Sequence, residues 1–259
     1  MKQFIILSIL LCLVMHSVCQ KELDPFDPKI KPFKENNKYG FKNQRGRIKI
    51  PAKYDKVGFF QNGLASVYLN NQVALINKSG KTVVPFGAYD KMSSSRNGII
   101  RVVKENKFGF LDVKGKEIIP CIFDKADFFR NGRSLVRKNN KEGIINIAGA
   151  EIIPIIYDKL IPLASDSLMK IENDGKWGYL DYSGRIFVNA EFDELDKPLN
   201  GMIRVKKDGK YGFLNDKGDL VIPCKYDRAG PFTESGTANI TLERKNGVVS
   251  KDGKENFPE

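Results

Sequence analysis

The apolar and polar positions of the chain recur with a period of 34 or 35 residues, from about Tyr39 to the C-terminus. The clearest landmark is a small residue between an aromatic or apolar residue and a second apolar residue. It lies at Gly40, Ala74, Gly109, Gly143, Gly178, Gly212 and Gly247. A fixed period of this length is typical of arrays in which each repeat buries its apolar face on its neighbours. The repeat therefore predicts the fold class.

Two further landmarks keep the same period. A turn glycine recurs at Gly46, Gly80, Gly115, Gly149, Gly184, Gly218 and Gly253. An apolar-Pro step recurs at Pro51, Pro85, Pro120, Pro154, Pro223 and Pro258, and Asn189 alone breaks that series. Proline withholds a backbone donor and ends a strand, whereas glycine accepts the positive φ of a tight turn. Each repeat therefore reads as a hairpin followed by further short strands.

The repeat at residues 107–140 shows these elements most clearly. Apolar and aromatic residues predict strands at Lys107–Asp112, Lys116–Ile119 and Leu135–Arg137, with a short strand or turn after Phe123-Asp124. The dipeptide Asn139-Asn140 suits a two-residue hairpin loop into the next repeat. No segment has a sustained apolar period of 3.6 residues, so we expect little helix. The prediction is an all-β meander of about seven repeats.

The chain ends favour a closed β-propeller-like ring, and an open β-solenoid or hairpin stack is the alternative. The last repeat keeps its first hairpin, Lys245–Pro258, but lacks the remaining strands. The segment Phe26–Phe33 resembles the aromatic-Asp part that is missing there. We therefore expect residues 20–38 to complete the last repeat by pairing with Lys245–Pro258, and residues 39–259 to form the repeat domain.

The N-terminus has the layout of a secretory signal. Lys2 precedes an apolar run, and the small residues Ser17 and Cys19 suit cleavage that leaves Gln20 first. We expect residues 1–19 to be removed and the protein to be secreted or held in the periplasm or cell envelope. The alternative is a lipoprotein acylated at Cys19, although residues 16–18 do not resemble the usual box before a lipidated cysteine. No other segment is expected to cross a membrane.

Cleavage at this point would remove His16, which is the only histidine of the chain. The mature protein would then lack the commonest general base and the commonest transition-metal ligand. Ser-His-Asp catalysis, Cys-His catalysis and His-ligated zinc are excluded for it. We expect no catalytic residue, cofactor or metal. Cys121 and Cys224 would remain, at equivalent positions three repeats apart, and we expect two separate thiols there.

Charge points to the kind of partner. The formal net charge is +12, and removal of Lys2 with the signal leaves +11. A protein this basic prefers anionic partners, such as acidic polysaccharides or phosphorylated envelope polymers. We predict no sequence-specific nucleic-acid partner, and the oligomeric state is left open.

The step Lys176-Trp177-Gly178-Tyr179-Leu180-Asp181, followed by Ser183-Gly184, resembles the WG (KWG) repeat family. That family also has an aromatic-Asp pair, which is present here at Tyr54-Asp55, Tyr89-Asp90, Phe123-Asp124, Tyr157-Asp158, Phe192-Asp193 and Tyr226-Asp227. The resemblance implies a β-rich scaffold and brings no catalytic residue with it. Val73 and Glu142 replace the family's aromatic residue, so we expect the second and fourth repeats to be the least regular.

The position after the repeated aspartate is basic in five of six repeats. Its residues are Lys56, Lys91, Lys125, Lys159, Glu194 and Arg228. Equivalent positions of a regular array share one face, so we predict a polyanion-binding surface at the five basic residues. The simpler interpretation is that these charges only keep the protein soluble. Arg101, Lys170 and Arg204 share a second position, where they either add to this field or cover the sheet.

The repeated aspartates themselves are expected to form turn or inter-sheet hydrogen bonds, because an enzyme needs one site and not six copies. The function predicted from the sequence is an exported, non-enzymatic binding or interaction scaffold. One alternative is a glycan-acting enzyme that uses single carboxylates such as Glu151, Glu172, Glu191 or Glu194. The other is a surface that docks proteins and takes no small ligand. The irregular loops at Ser93–Ser95 and Ala164–Ser167 are further candidate contact surfaces.

Overall fold

The computed structural model describes residues 29–163 and 168–258. In this part of the chain all regular structure is β, and the strands are antiparallel to their neighbours. The all-β prediction is confirmed. The predicted signal at residues 1–19 and the loop at residues 164–167 lie outside the described residues.

The chain divides into two compact units. Unit 1 comprises residues up to 138 together with 146–150, and unit 2 comprises residues 139–145 and 151 onward. In unit 1 the first sheet consists of β1 (Ile30–Glu35), β2 (Lys38–Asn43) and β3 (Ile48–Tyr54). The next two sheets consist of β4 (Lys56–Val57), β5 (Leu64–Leu69), β6 (Gln72–Asn77) and β7 (Thr82–Val84), then of β8 (Lys91–Met92), β9 (Ile99–Lys104), β10 (Lys107–Asp112) and β11 (Glu117–Phe123). The pair β12 (Lys125–Ala126) and β13 (Arg133–Lys138) follows.

Unit 2 begins with the pair β14 (Lys141–Asn146) and β15 (Glu151–Tyr157). Three four-stranded sheets follow, each with its strands in chain order. They consist of β16 (Lys159–Pro162), β17 (Leu168–Asn173), β18 (Lys176–Asp181) and β19 (Ile186–Phe192), of β20 (Glu194–Leu195), β21 (Met202–Lys207), β22 (Lys210–Asn215) and β23 (Leu220–Tyr226), and of β24 (Arg228–Ala229), β25 (Thr237–Leu242), β26 (Lys245–Ser250) and β27 (Glu255–Asn256).

Each sheet spans two sequence repeats. In the four-stranded sheets a short strand and a long strand come from one repeat, and the next two strands come from the following repeat. This offset corrects the prediction for the N-terminal segment. Ile30–Phe33 pairs with β2 in the first sheet, and β26 lies between β25 and β27, so the described part of residues 20–38 does not complete the last repeat. Phe26 and Asp27 lie outside the described residues.

The repeat glycine is required by a bulge in the neighbouring strand. Phe108 faces Phe123 across β10 and β11, but Phe110 faces Ile119, so β11 carries two extra residues opposite Gly109. A side chain at Gly109 would place its Cβ 2.8 Å from the backbone around Pro120. Because real Cβ atoms do not approach backbone so closely, only glycine fits there.

Turn chemistry fixes the strand register. The loop between β9 and β10 has Glu105 and Asn106 both at positive φ, which matches the twist of the flanking strands. The loop between β10 and β11 is held by Asp112, whose Oδ1 accepts hydrogen bonds from the backbone N–H groups of Lys114 and Lys116. Gly115 takes the positive φ of that turn, 81°. Two-residue hairpins and glycine turns are confirmed as predicted.

Successive sheets pack through buried apolar layers within each unit. In three repeats the loop after the short strand supplies a phenylalanine that packs on the sheet before it. The ring pairs are Phe41–Phe60, Phe110–Phe129 and Phe213–Phe232, with centroids 4.7–4.8 Å apart. Burial of such rings in tilted or edge contact is favourable beyond the area that it removes from water. The apolar layers between neighbouring sheets therefore form the core of each unit.

The two repeats expected to be irregular behave differently. In the second repeat β7 has only three residues, because Gly87 adds a residue between Pro85 and Tyr89. The fourth repeat is regular, so that expectation was wrong. Its Glu142 is buried, and Oε2 accepts a hydrogen bond from the backbone N–H of Leu160. The carboxylate at the aromatic position is thereby hydrogen-bonded within the fold.

We expect Gly109→Val to lower the free energy of unfolding by about 1–3 kcal/mol, because the new side chain must displace backbone around Pro120. Gly230→Val is the matched control, since a Cβ at Gly230 meets its nearest atoms at 3.8 Å and no positive φ is involved. Urea denaturation measures both variants. Equal midpoints for Gly109→Val and the parent would show that the bulge does not require glycine.

Candidate anion-binding surface

The five predicted basic residues occupy one structural position. Each begins a short strand directly after the repeated aspartate, and each is exposed to solvent. They are Lys56 in β4, Lys91 in β8, Lys125 in β12, Lys159 in β16 and Arg228 in β24. Glu194 begins β20 at the equivalent place. The predicted exposure of the position is therefore confirmed for all five residues.

The residue opposite on the neighbouring strand differs among these positions. It carries the opposite charge at Lys159 and Glu194, whereas Arg228 faces the uncharged Thr241. In unit 2, Lys159 lies opposite Glu172, with Nζ 2.5 Å from Oε2. Glu194 lies opposite Lys206, which donates to its Oε1 at 2.9 Å. Both charges are therefore balanced within their own sheet. An exposed ion pair contributes little stability, but it leaves less charge for a ligand.

In unit 1 the residues opposite the basic position carry no negative charge. Lys56 faces Tyr68, with its Nζ 5.6 Å from the ring centroid. Lys91 faces Val103, and the residue opposite Lys125 is Arg137. Like charges that face each other across strands are unfavourable unless an anion lies nearby. The structure therefore distinguishes Lys56, Lys91 and Lys125 from Lys159.

The same difference extends over each whole unit. The described residues of unit 1 contain 24 Lys and Arg against 8 Asp and Glu, a net charge of +16. Those of unit 2 contain 17 Lys and Arg against 18 Asp and Glu, a net charge of −1. The positive charge of the protein is thus concentrated in unit 1. The prediction from the sequence used only the total charge, although a count by halves of the chain would have found the asymmetry.

The repeated aspartates hold the hairpins. In unit 2, Lys141 Nζ donates to Asp158 Oδ1 at 2.7 Å, and the backbone N–H of Asp174 donates to its Oδ2 at 2.8 Å. The same lysine-aspartate pair, 17 residues apart, occurs at Lys38–Asp55, Lys107–Asp124, Lys176–Asp193 and Lys210–Asp227. The Lys141 ammonium, followed by the Asp174 amide, lowers the pKa of Asp158. The prediction of turn hydrogen bonding is confirmed.

The second basic position connects neighbouring sheets. Arg101 Nη1 donates to the carbonyl of Ala126 at 2.7 Å, and Lys170 Nζ donates to the carbonyl of Leu195 at 2.7 Å. Arg204 Nη1 donates to the carbonyl of Ala229 at 2.6 Å. Each of these side chains is half-buried and reaches 25 residues ahead, to the short strand of the next sheet. They link sheets and do more than cover them.

Other candidate chemistry is engaged in local structure. Glu151 Oε2 accepts a hydrogen bond from the backbone N–H of Ile155, and Glu191 forms an ion pair with Lys207. Glu172 and Glu194 form the pairs described above. Within residues 29–163 and 168–258, no group of three or more His, Cys, Asp or Glu side chains could hold a metal ion. A search of the same residues finds no helix long and apolar enough to cross a membrane.

Trp177 and the two thiols have structural surroundings. Trp177 is half-buried against the apolar layer of its sheet, and Lys170 Nζ lies 4.1 Å from its ring centroid. Cys121 in unit 1 and Cys224 in unit 2 are free and half-buried, and burial raises the pKa of each thiol. Neither thiol is therefore primed as a nucleophile.

The family comparison agrees with this repeat geometry. The model of the WG-containing repeat matches residues 39–72, 75–108, 108–141, 143–177, 177–211 and 211–245. The chain therefore belongs to the WG-containing repeat family. This family is a repeat scaffold and is not a known enzyme family. A comparison with curated protein sequences found no match.

Solved structures give only distant similarity. PorZ, described as an essential surface component of the type-IX secretion system of Porphyromonas gingivalis, is 12% identical, with a TM-score of 0.32. The match covers 90% of this chain and 37% of PorZ, so the chain spans about a third of that protein. Hsv2 of Kluyveromyces lactis is 7% identical over 90% of this chain and 95% of its own, with a TM-score of 0.33. The WD40 propeller domain of Doa1 is 11% identical over 80% and 84%, with a TM-score of 0.29.

We expect Asp158→Asn to destabilise the protein near neutral pH and to have little effect in acid. A carboxylate with a lowered native pKa stabilises the fold above its usual pKa of 3.8, and this contribution is lost as the pH falls through the native value. Urea denaturation of parent and variant at about pH 7 and about pH 2.5 measures the change. Asp216→Asn, at an exposed turn aspartate, is the control. A difference that stays constant with pH would contradict this role.

Proposed function

We propose that the protein is an exported, non-enzymatic interaction scaffold that binds an anionic polymer through unit 1. The observation that carries the proposal is the charge distribution, +16 in unit 1 against −1 in unit 2. A concentrated positive charge attracts an anionic polymer, and by itself it is unfavourable because like charges repel. An acidic polysaccharide is the partner that best suits an exported scaffold of this charge.

Lys56, Lys91 and Lys125 are the proposed contact residues. Their side chains are exposed, they occupy equivalent positions, and no carboxylate lies directly opposite them on the adjacent strand. The regular recurrence of this position suits a polymer whose own charges recur along its length. Lys159 contributes less to this surface, because Glu172 balances it. Arg228 lies in unit 2, where acidic and basic side chains are nearly equal in number.

A glycan-cleaving enzyme is the weaker candidate. Glycosidases use two carboxyl groups that flank the bond to be cleaved. The four carboxylates considered for this role instead contact a lysine or a backbone amide of their own neighbourhood. These contacts support a scaffold.

We infer further that the sheets close into a propeller-like ring, as the repeat predicts. The inference is supported by sheet-to-sheet contacts of the same kind in several repeats, such as those of Phe60, Phe129 and Phe232. A circular permutant tests it, with the mature ends joined by about six Gly and Ser residues and the chain opened at Asn97-Gly98. A closed ring should keep the urea midpoint of the parent. A permutant whose free energy of unfolding is lower by several kcal/mol would indicate an open array. The control is the chain cleaved at Asn97-Gly98 without permutation, which should remain stable.

The polyanion proposal predicts a specific loss of heparin binding. We expect the variant Lys56→Gln/Lys91→Gln/Lys125→Gln to bind heparin at least about tenfold more weakly at low salt, and its affinity to depend less steeply on salt. The urea midpoint should be nearly unchanged, because the three side chains are exposed. Surface plasmon resonance at several salt concentrations measures the affinity.

The matched control removes the same charge from unit 2 through Lys159→Gln/Lys217→Gln/Arg228→Gln. We expect this control to lose less than about threefold in affinity, since long-range charge alone is screened. An equal loss in both variants would show that net charge, and not the three lysines of unit 1, governs binding. Unchanged binding in the unit 1 variant would mean that the charged position serves solubility.

A further inference from the structure

Unit 1 contains a cluster of two arginines on one phenylalanine ring. The guanidinium carbon of Arg96 lies 4.2 Å from the ring centroid of Phe128, and that of Arg101 lies 3.9 Å from it. The two guanidinium groups are therefore at most about 8 Å apart. Sequence reasoning noted Arg101 and the loop at Ser93–Ser95 separately. Only the fold brings Phe128, from the next sheet, against both arginines.

The backbone fixes this cluster. Arg96 precedes the Asn97-Gly98 turn, where its N–H and carbonyl pair with Ile99, the first residue of β9. Arg101 lies two residues further along β9, and its Nη1 donates to the carbonyl of Ala126. Phe128 follows the short strand β12. Arg101 is half-buried, whereas Arg96 is exposed, so the cluster is open to solvent on one side.

Unit 2 contains the same position three repeats later, with the charge balanced. Arg204 is equivalent to Arg101, and its Nε and Nη2 both lie 2.8 Å from Asp196 Oδ2. The residue equivalent to Asp196 in unit 1 is Ser93, which has no charge. Its hydroxyl accepts a hydrogen bond from the backbone N–H of Arg101.

The remaining two positions also differ. Leu199 replaces Arg96, and Pro231 replaces Phe128, so unit 2 has neither the second guanidinium nor the aromatic ring. Both residues instead line an open cleft of about 520 Å³. Unit 1 therefore has two arginines where unit 2 has one that is already paired.

Two guanidinium groups held on one ring repel each other, and burial of Arg101 makes its charge costlier. Burial first, and the Arg96 charge in addition, lower the pKa of Arg101, while the charge of Asp127 opposes them. A tetrahedral oxyanion in contact with both groups would relieve this repulsion, since sulfate and phosphate accept paired hydrogen bonds from guanidinium. The separation of at most about 8 Å lets one such ion contact both groups.

We propose that Arg96 and Arg101, held on Phe128, form a binding site for a sulfate or phosphate group. The site rests on the proposed polyanion binding for its natural ligand, but it is separate from the lysine surface. Lys91 pairs with Val103 and Arg96 with Ile99, so the two lie four residues, or about 13 Å, apart along β9. Phe128 restricts the arginine side chains in advance, which reduces the entropy lost on binding.

Titration with inorganic sulfate or phosphate, followed by the NMR signals of arginine Nε–H groups, tests the site. The parent should show saturable shifts of two such signals at constant ionic strength, and sodium chloride should not reproduce them. Ser93→Asp installs the carboxylate that unit 2 has at Asp196, and should weaken the apparent affinity at least tenfold. Arg96→Leu, which installs the residue found at Leu199, should do the same. Comparison of the affinities for sulfate and for phosphate indicates which of the two groups the site prefers.

Asp196→Ser is the matched control, because it removes the equivalent carboxylate in unit 2 and leaves the unit 1 cluster intact. It should keep the two saturable shifts. The triple lysine variant should also keep them, so failure of this site and failure of the polyanion proposal can be told apart. The proposal is overturned if the parent shows no saturable shift, or if Ser93→Asp binds sulfate and phosphate as tightly as the parent. Unchanged urea midpoints confirm that the variants are folded.

Discussion

The close approach between the repeat glycine and the proline bulge of the next strand governs this fold. At Gly178 a side chain would come within 2.5 Å of the Val188 carbonyl, and at Gly212 within 2.6 Å of the Ile222 carbonyl. Asn189 stands where other repeats have proline, yet the bulge is the same. The constraint is therefore the two extra residues of the bulged strand, and proline is one way to satisfy it. The bulged strand ends beside the hairpin turn, where Tyr226 faces Tyr211, and the aspartate follows directly.

That aspartate joins the two ends of a repeat. Its carboxylate accepts a backbone hydrogen bond from the hairpin turn that follows it. It also forms an ion pair with the lysine 17 residues earlier, at the start of the second strand of the preceding hairpin. Each exposed pair is weak by itself. Repetition makes the arrangement effective, since every hairpin is held in the same register. The second repeat has Gln72 in place of the lysine, and Asp90 still accepts from the backbone N–H of Glu105. The hydrogen bond to the turn is therefore more general than the ion pair.

Charge distinguishes the units on this shared framework. Where unit 2 has Asp196 beside Arg204 and Glu172 beside Lys159, unit 1 has Ser93 beside Arg101 and Tyr68 beside Lys56. The strand pairing at these positions is equivalent, so the substitutions change the electrostatic field and leave the strands paired. A repeat scaffold can in this way carry a charged surface on one part and a neutral surface on another.

The sequence by itself determined the all-β class, the repeat, the turns and the structural role of the aspartates, because each depends on residues within one period. It also located the exposed basic position. Tertiary structure decided which of those charges are balanced, since Lys159 meets Glu172 only through strand pairing. It decided that sheets straddle repeats, which the period cannot show because a repeat may be cut at any point. It also brought Arg96 and Phe128, 32 residues apart, onto one another, because packing between sheets joins residues that no local pattern connects.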